Sequence, residues 1–490
     1  MNDQSMAPEG TPKLGDMPAE EFRKYGHTLV DRMADFLKDI DNYPVFPAVR
    51  PGDVRGMLPT APPQSGESME DILSDVDRVV MPGMAHWSHP RFMAYFNSSG
   101  SAPGILAEVL CATFNANGMV WQSCPSATEV EQVMLGWLRQ MLGLPEKYWG
   151  IIYDTASVST LHALAAAREH LSDLHIRDRG MTGRTDLPRL RVYASEYVHS
   201  SVDKAVIALG FGIEGIRKIS VDQSFQMIPA ALAEAINEDR RNGVRPFCVV
   251  ATVGTTSCTS IDPVREIAAL CGREGIWLHI DAAHGGAAAL VPEYRYVLDG
   301  CELADSIVVN PHKWMFVPMD LSVLFTRKPE MLRRAFSLVP EYLRTPHDEV
   351  VENYMDYGIP LGRRFRALKL WFVFRYFGTE GLANRIREHI RVANEFADWI
   401  DAHREFERLA PVPLSTVLFR AHPSGTDDEE TLNALNERLM KAVNESGRAF
   451  LSHTRLGNRY AIRLVVSGLR TLEPHVQEVW KLLQQQLSLL

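Results

Sequence analysis

The stretch Asp305-Ser306-Ile307-Val308-Val309-Asn310-Pro311-His312-Lys313-Trp314 decides the fold. Its β-branched residues from 306 to 309 predict a buried parallel strand, and Pro311 ends that strand because proline disfavours helical geometry in the residue before it. Lys313 therefore follows the carboxyl end of a strand. Ligands of open α/β sheets bind at that edge, so the pattern directs this amine into a site. Without other evidence, a lysine is read as a solvated surface charge.

A second apolar run, residues 276–281, also ends in an ionisable residue, Asp281, and is followed by small, turn-prone residues. Pyridoxal phosphate needs this combination of an acid for its pyridinium nitrogen and a lysine for a Schiff base. Only a primary amine holds the aldehyde as an imine, and only an anion keeps the ring nitrogen protonated. Near contact, that ion pair is worth about 4 kcal/mol, or about 3 pKa units. Asp281 and Lys313 together predict a pyridoxal-phosphate site.

Composition predicts a globular protein with a large core. The chain has 490 residues, is 46% hydrophobic and carries a net charge of -10. The charge argues against nucleic acid or an anionic membrane as the main partner. The six cysteines lack CxxC spacing, so neither a metal site nor a disulfide framework is expected. The absence of a long apolar run or leader segment then predicts a cytoplasmic protein.

Three regions are expected along the chain. Residues 1–100 contain amphipathic helices and a proline-rich arm, which predict a helical extension that packs on its own chain or on a partner subunit. Residues 101–378 alternate strand and helix patterns, which indicates a mostly parallel α/β sheet. Residues 379–490 predict a small α+β domain.

Further candidate site residues lie at predicted strand ends and at one helix start. Thr155-Ala156-Ser157 opens a helix and suits a phosphate, because free N–H groups and the helix dipole favour an anion. An ordinary N-cap is the alternative. His199 is placed to cover a cofactor ring, and Thr256 to hydrogen-bond beside it. The aromatic segment that includes Trp87 and Phe96 suits a pocket for a flat side chain.

These motifs resemble those of the aromatic-L-amino-acid decarboxylases, which belong to the group II pyridoxal-phosphate decarboxylases. The resemblance runs nearly end to end. It is carried by Asn310-Pro311-His312-Lys313-Trp314, Leu278-His279-Ile280-Asp281-Ala282-Ala283, Thr155-Ala156-Ser157, His199-Ser200-Ser201-Val202, Gly254-Thr255-Thr256 and Ile359-Pro360-Leu361-Gly362-Arg363-Arg364-Phe365.

The resemblance implies an aspartate-aminotransferase-type fold, pyridoxal 5'-phosphate as cofactor, and a homodimer with its active site at the interface. It implies catalytic roles for Lys313, Asp281, His199 and Tyr342, the last as a proton donor. The implied cofactor contacts are Thr155, Ala156, Ser157, His199, Thr256, Asp281, Ala283, Asn310, His312 and Lys313. The implied substrate contacts are Trp87, Phe96, Asn97, Ser98, Met119, His199 and Gly362.

Departures from the family pattern leave the preferred substrate open. His284 replaces a usual tyrosine, Asn97-Ser98 replaces a Pro-Thr pair, and Met119 stands where an aromatic ring is common, whereas Gly362 favours a larger, indole-like ring. The expected reaction is decarboxylation of tryptophan, 5-hydroxytryptophan, DOPA, tyrosine or phenylalanine. The alternatives are an aromatic aldehyde synthase, a decarboxylase of a non-aromatic amino acid, an aminotransferase and an inactive scaffold.

Overall fold

The computed structural model describes residues 15–338, 347 and 350–490. The chain divides into two compact units, of which the first ends at His86 and the second comprises Trp87–Leu490. The second unit contains two β-sheets with separate hydrophobic cores. The first unit is helical. The predicted domain boundaries at residues 100 and 378 remain predictions.

The larger sheet has seven strands in the order β1-β7-β6-β5-β4-β2-β3. Its strands are β1 Trp149–Tyr153, β2 Arg189–Ser195, β3 Ile216–Ile219, β4 Val244–Thr252, β5 Trp277–Asp281, β6 Ser306–Val309 and β7 Ser322–Thr326. The five strands from β6 to β3 pair in parallel, which confirms the predicted α/β fold class. β7 runs antiparallel to both of its neighbours, and β1 was not predicted.

The smaller sheet is antiparallel, in the order β10-β11-β9-β8. Its strands are β8 Phe406–Arg408, β9 Thr416–Ala421, β10 Ser452–Leu456 and β11 Arg459–Val465. The sequence pattern at residues 449–453 predicts a strand, but β10 begins only at Ser452. The prediction starts too early because Ala449 and Leu451 are apolar residues buried in the core just before the strand. β8 has only three residues and was missed.

Fifteen α-helices accompany these strands among the described residues. The first unit contains α1 Ala19–Lys38, α2 Asp53–Gly56 and α3 Met69–Asp75. The second contains α4 Ala102–Phe114, α5 Pro125–Leu142, α6 Ala156–Glu169, α7 Ile176–Arg179, α8 Ser200–Ala208, α9 Pro229–Arg241, α10 Val264–Glu274, α11 Pro311–Trp314, α12 Pro329–Phe336, α13 Ala367–Ala402, α14 Glu429–Glu445 and α15 Glu473–Leu487.

The sequence predicts two helices, at about residues 363–377 and at residues 382–400. In the structure they form a single element, α13, of 36 residues. It bends at Gly378, whose φ of 63° and ψ of 172° lie outside helical geometry. Glycine adopts a positive φ without the steric cost that a Cβ would impose. The residues before the bend join the core of the large sheet, and those from Val392 onward join the core of the small sheet.

Strand register brings the predicted catalytic positions to one edge of the large sheet. Asp281, the last residue of β5, pairs with Thr252 at the end of β4 and with Val308 near the end of β6. Beyond the strands, the Asn310 N–H donates to the Ala283 carbonyl at 3.1 Å. The parallel pairing therefore places the residues after β4, β5 and β6 side by side, as open α/β sheets require of a ligand site.

The first unit confirms both predicted helices with small shifts in their ends. The apolar stripe of residues 18–40 predicts a helix, which is α1, and that of residues 68–80 predicts a second, which is α3 followed by a π-helical turn, Val76–Val80. Ser68 caps α3 by accepting the Asp71 N–H at 3.1 Å. Several apolar side chains of this unit are exposed, including Phe22 at 64%.

All six cysteines are free thiols. No described helix is long and apolar enough to cross a membrane. The described residues also contain no group of three or more His, Cys, Asp or Glu side chains placed to bind a metal ion.

A glycine beside the sheet edge allows a prediction about stability. A Cβ on Gly285 would lie 2.4 Å from the Val253 carbonyl oxygen, which is backbone and cannot move aside, whereas a Cβ on Gly272 in α10 meets nothing within 4 Å. Gly285→Ala should lower the free energy of unfolding by about 1–3 kcal/mol through overpacking. Gly272→Ala should raise it by about 0.5–1 kcal/mol. Urea denaturation of both variants tests the pair, and equal stabilities would contradict this close packing.

Candidate active site

Lys313 lies in the short helical turn α11 that follows β6. Asn310 precedes that turn, Pro311 opens it, and the Lys313 N–H donates to the Asn310 carbonyl at 2.9 Å. The side chain is half-buried, with its Nζ 5.1 Å from the centre of the Phe96 ring. Burial lowers the pKa of Lys313, Asp281 opposes that shift, and Arg463 adds to it. This environment increases the fraction of unprotonated amine, the form that attacks an aldehyde.

Asp281 is a buried carboxylate at the end of β5, with 7% of its surface exposed. Its Oδ1 accepts the Ala283 N–H at 3.1 Å, which orients the carboxyl group at the sheet edge. The Asp281 charge raises the pKa values of both Lys313 and His199, so the three groups share one electrostatic environment. A fixed anion in this position is suited to a protonated ring nitrogen.

His199 precedes α8 and caps its first turn. Its Nδ1 accepts the Ser201 N–H at 3.1 Å and lies 2.9 Å from the Ser201 hydroxyl. Burial lowers the pKa of His199, which favours the neutral imidazole. Two contacts on Nδ1 fix the orientation of the ring, as a stacking role requires. Thr256 is exposed, and it lines a cavity that His199 also lines.

The start of α6 fits a phosphate better than an ordinary capped helix. Thr155 precedes the helix, but its side chain makes no capping hydrogen bond and donates instead to Asp154 Oδ1 at 3.3 Å. The first-turn N–H groups of Ala156 and Ser157 have no intrahelical acceptor, because a helix leaves its first N–H groups unpaired. Ser157 is exposed. These donors and the dipole of a helix 14 residues long favour an anion.

Asn310 and His312 complete the neighbourhood of Lys313. Asn310 is 2% exposed, and its Oδ1 has no hydrogen-bond partner within residues 15–338 and 350–490. Its amide nitrogen lies 3.4 Å from His312 Nε2, while His312 Nδ1 accepts the Leu321 N–H at 3.0 Å. Burial lowers the pKa of His312 to about 3, so this ring is neutral. The orphaned Asn310 oxygen is explained if a bound group supplies a donor.

A cavity of about 280 Å³ is lined by Lys313, His199 and Thr256, together with residues of the small sheet. Its walls come from the large sheet, the small sheet and the segment after residue 90. The lining residues are Tyr95, Phe96, His199, Thr256, Ser257, Lys313, Ser452, His453, Thr454 and Arg463. Three sequence-predicted cofactor residues, Lys313, His199 and Thr256, therefore meet the predicted substrate residue Phe96 in one pocket.

Sequence reasoning missed Arg463, the second cation of the pocket. Arg463 is 3% exposed in the middle of β11, and its guanidinium carbon lies 5.1 Å from the centre of the Phe96 ring. Desolvation lowers the pKa of Arg463 to about 10, yet the group stays charged at neutral pH. A single charged residue inside the apolar run Ala461-Ile462-Arg463-Leu464-Val465 was the available signal. Buried charges of this kind usually have a partner, which marks the position as functional.

Phe96 is the first ring of a buried stack. Its ring centroid lies 3.8 Å from that of His284, at an interplanar angle of 6°. His284 in turn lies 4.6 Å from Trp314, at 7°, and Trp314 Nε1 donates to His389 Nδ1 at 2.9 Å. Burial holds the pKa of His284 well below its usual value. The stack supports the Phe96 ring from behind with neutral groups, while its other neighbours are Lys313 and Arg463.

Five predicted substrate residues do not line this cavity. Trp87 packs on Phe92 and Tyr95, with ring centroids 4.5 and 5.8 Å apart. The Asn97 backbone N–H donates to Ser467 Oγ at 3.3 Å and its amide nitrogen to the Phe92 carbonyl at 3.2 Å, which holds this buried residue in place, while its Oδ1 has no partner among the described residues. Ser98, next in the chain, is half-buried.

Met119 and Gly362 lie together, away from the cavity wall. Asn117 joins their two loops, because its Oδ1 accepts the Arg363 N–H at 2.9 Å and its amide nitrogen lies 3.6 Å from the Met119 sulfur. Gly362 is exposed, and a Cβ there meets only Asn117 Nδ2, at 3.7 Å. Tyr342, the predicted proton donor, lies outside the described residues.

The residues present fit pyridoxal phosphate. The site contains an amine with a lowered pKa, a buried carboxylate, an imidazole held in one orientation and an uncapped helix start. Each matches one chemical need of that cofactor: attachment, ring protonation, stacking and phosphate binding. Fold and site together define a pyridoxal-phosphate enzyme with an α/β sheet.

Comparison with known proteins identifies the family. A profile described as "Pyridoxal-dependent decarboxylase conserved domain" matches residues 51–422. The chain is 40% identical to aromatic-L-amino-acid decarboxylase of Rattus norvegicus, over 95% of this chain and 97% of the rat protein. It is 38% identical to phenylacetaldehyde synthase of Arabidopsis thaliana, over 97% and 98% of the two chains.

A solved structure has the same overall fold as this chain. The crystal structure of Oryza sativa TDC with PLP and tryptamine superposes with a TM-score of 0.92 at 35% identity, covering 97% of this chain and 99% of that one. The chain belongs to the pyridoxal-dependent decarboxylase family, and the protein is a decarboxylase with pyridoxal phosphate as its cofactor.

The buried amine allows a prediction about pH. Because the pKa of Lys313 is lowered below its ordinary value of 10.5, its unprotonated form should appear at lower pH than in free lysine. We expect the modification rate of Lys313 by an amine-specific reagent, in protein stripped of cofactor, to rise with a midpoint below 10.5. Peptide mass spectrometry across a pH series measures this midpoint. A midpoint at or above the ordinary value would show that desolvation does not control this amine.

Proposed function

We propose that this protein converts an aromatic L-amino acid into the corresponding arylalkylamine and CO2. The observation that carries the proposal is the placement of two cationic side chains, Lys313 and Arg463, on the Phe96 ring, each 5.1 Å from its centre. An amino acid needs an amine-exchange group and a carboxylate-binding group close together. The pocket has both, beside aromatic side chains that suit a flat substrate.

Each side chain has a distinct task. Pyridoxal phosphate, when bound, supplies the aldehyde and the electron sink that make loss of CO2 possible. Lys313 provides the amine that holds the cofactor and exchanges with the substrate amine. Asp281 keeps the ring nitrogen protonated, and His199 covers the ring. The free N–H groups at the start of α6 would hold the phosphate, and the Asn310 amide N–H group would donate to it.

The carboxylate is recognised by Arg463. Its Nη2 has no hydrogen-bond partner in the described part of the chain, so two N–H donors are available to a bound anion. A guanidinium fork binds a carboxylate more strongly than a neutral donor does. Arg463 thereby orients the bond that breaks when CO2 leaves, and a proton then takes the place of the carboxylate on Cα.

We further propose a homodimer whose subunits complete each other's pockets. An apolar groove of about 640 Å³, lined by α4 and α13, includes Leu106, Trp371 and Tyr376, and the exposed fraction of Tyr376 is 72%. Exposed apolar patches of this kind mark interaction surfaces. Met119 and Gly362 lie away from the cavity of their own chain, so a second subunit gives them a place at the substrate ring.

Two finer points follow from the same residues. The open space at Gly362 favours a larger ring, and Oryza sativa TDC, solved with tryptamine, supports tryptophan as the first substrate to test.

The six free thiols support a reducing compartment such as the cytoplasm.

A panel of substrates tests the assignment. Purified protein with pyridoxal phosphate should release CO2 and the matching amine from at least one of tryptophan, 5-hydroxytryptophan, DOPA, tyrosine and phenylalanine. Lys313→Ala, which removes the amine assigned to hold the aldehyde, should lose turnover by at least about 10³-fold. Turnover of a non-aromatic amino acid alone, or a fully active Lys313→Ala variant, would refute the proposal.

Arg463→Gln isolates carboxylate recognition. Hydrogen bonds to charged groups contribute about 1.5–3 kcal/mol, so kcat/KM for the best substrate should fall about 10- to 150-fold. Cofactor content, measured by visible absorbance, should stay unchanged because Arg463 is not assigned a cofactor contact. The carboxylate role is wrong if kcat/KM in the variant equals that of the parent.

The Arabidopsis relative gives a second candidate, oxidative conversion to an aldehyde, and Tyr342 distinguishes the two. We assign its phenol the proton transfer to Cα, a step worth about 10²- to 10⁴-fold. Tyr342→Phe should retain cofactor, lose most amine production and, with dissolved O2 as the oxidant and water supplying the carbonyl oxygen, form aldehyde, ammonia and hydrogen peroxide instead. Quantifying amine and ammonia together measures the change. Amine formation at the parental rate without ammonia would exclude this role for Tyr342.

A further inference from the structure

Ser452 joins the two parts of the pocket that face the substrate. It lies directly opposite Arg463 in the β10–β11 ladder and is 7% exposed. Its Oγ accepts Arg463 Nη1–H at 3.0 Å and the Tyr95 N–H at 3.2 Å. One hydroxyl oxygen therefore connects the guanidinium to the segment that carries Phe96.

The hydrogen bonds of Arg463 leave one arm of the guanidinium for a ligand. Nε donates to the Ser257 carbonyl at 3.0 Å, and Nη1 donates to the Tyr95 carbonyl at 3.3 Å and to Ser452 Oγ. These bonds use three of the five N–H donors, and all three acceptors are uncharged. Arg463 makes no ion pair with any described carboxylate. Its charge and its two Nη2 donors are therefore available together.

Ser452 makes the shorter of the two contacts that hold Nη1. Without the hydroxyl, Nη1 keeps only the Tyr95 carbonyl at 3.3 Å, near the long limit of a hydrogen bond. That carbonyl belongs to a residue with φ of 55°, in the left-handed region that bulky residues rarely adopt. Loss of the Ser452 hydroxyl would therefore leave Nη1 with that single long contact, whereas the segment that carries Phe96 keeps the hydrogen bond from the Asn97 N–H to Ser467 Oγ at 3.3 Å.

We propose that Ser452 is a positioning residue that fixes Arg463 so that Nη2 meets the substrate carboxylate. This inference rests on the proposed function, because it assigns the carboxylate to Arg463. The Ser452 hydroxyl lies opposite Arg463 across the β10–β11 pair and accepts a hydrogen bond from Nη1. This bond sets the orientation of the guanidinium and therefore the direction in which Nη2 points. Its effect should therefore be specific to ligands that carry a carboxylate.

Two probes separate this role from general support of the fold. 3-Phenylpropionate carries the carboxylate without the amine, and 2-phenylethylamine carries the amine without the carboxylate. Calorimetric titration of the holoenzyme should show that Ser452→Ala weakens 3-phenylpropionate binding about tenfold, as loss of one hydrogen bond to a charged group implies. Affinity for 2-phenylethylamine should stay within about twofold. In steady-state assays, the loss should appear mainly in KM.

Matched variants complete the test. Ser452→Thr keeps the hydroxyl and should restore carboxylate affinity to within about threefold of the parent. Ser446→Ala removes another hydroxyl with two hydrogen bonds, to the Val443 carbonyl and from the Arg448 N–H, and should change neither affinity. If Ser452→Ala does not fold, Ser452→Cys, whose sulfur is a weak acceptor, takes its place.

The possible outcomes differ clearly. Equal 3-phenylpropionate affinity in parent and Ser452→Ala, equal losses for both probes, or failure of Ser452→Thr to restore affinity would each overturn the role of Ser452. If instead the parent releases no CO2 from any aromatic amino acid, the proposed function fails, and the 3-phenylpropionate titrations still measure whether Ser452 positions Arg463.

Discussion

The site depends on the parallel register of β4, β5 and β6. That register aligns the ends of three strands, so Asp281 at one end and Lys313 in the turn after another share one edge. Asp281 is buried and Lys313 is half-buried, and burial lowers the pKa of the Lys313 amine. Together, Asp281 raises the pKa that burial lowers in Lys313. The protein thereby keeps an anion and a titratable amine close together in a buried position, as pyridoxal-phosphate chemistry requires.

The small sheet contributes the part of the pocket to which we assign recognition of the substrate carboxylate. Arg463 and Ser452 belong to β11 and β10, whereas Lys313, Asp281 and His199 follow strands of the large sheet. Helix α13 supplies residues up to Ile390 to the core of the large sheet and residues from Val392 onward to the core of the small sheet. Cofactor residues and the carboxylate-binding residue thus come from two sheets with separate cores, and the pocket forms where they meet around Phe96.

Charge and stacking cooperate on the Phe96 ring. Lys313 and Arg463 approach it within cation–π distance, and His284 and Trp314 stack behind it as neutral rings. Burial suppresses protonation of His284, so the stack adds no third positive charge beside the two cations. A protonated His284 would repel the Lys313 ammonium group and lower its pKa further, and the neutral ring does not. An aromatic residue predicted only to line the pocket is therefore also an electrostatic element of the site.

Sequence alone determined the parallel βα pattern and the cofactor, and it predicted Lys313, Asp281 and His199 as site residues, because strand ends and helix starts are local features that hydrophobic periodicity and turn residues reveal. Only the tertiary structure decided that Arg463 enters the pocket, that Asn97 is bound to Ser467, and that β7 runs antiparallel. Those facts depend on contacts between residues far apart in the chain. Arg463 and Lys313 are brought together by the packing of two sheets, and no local pattern in either segment encodes that packing.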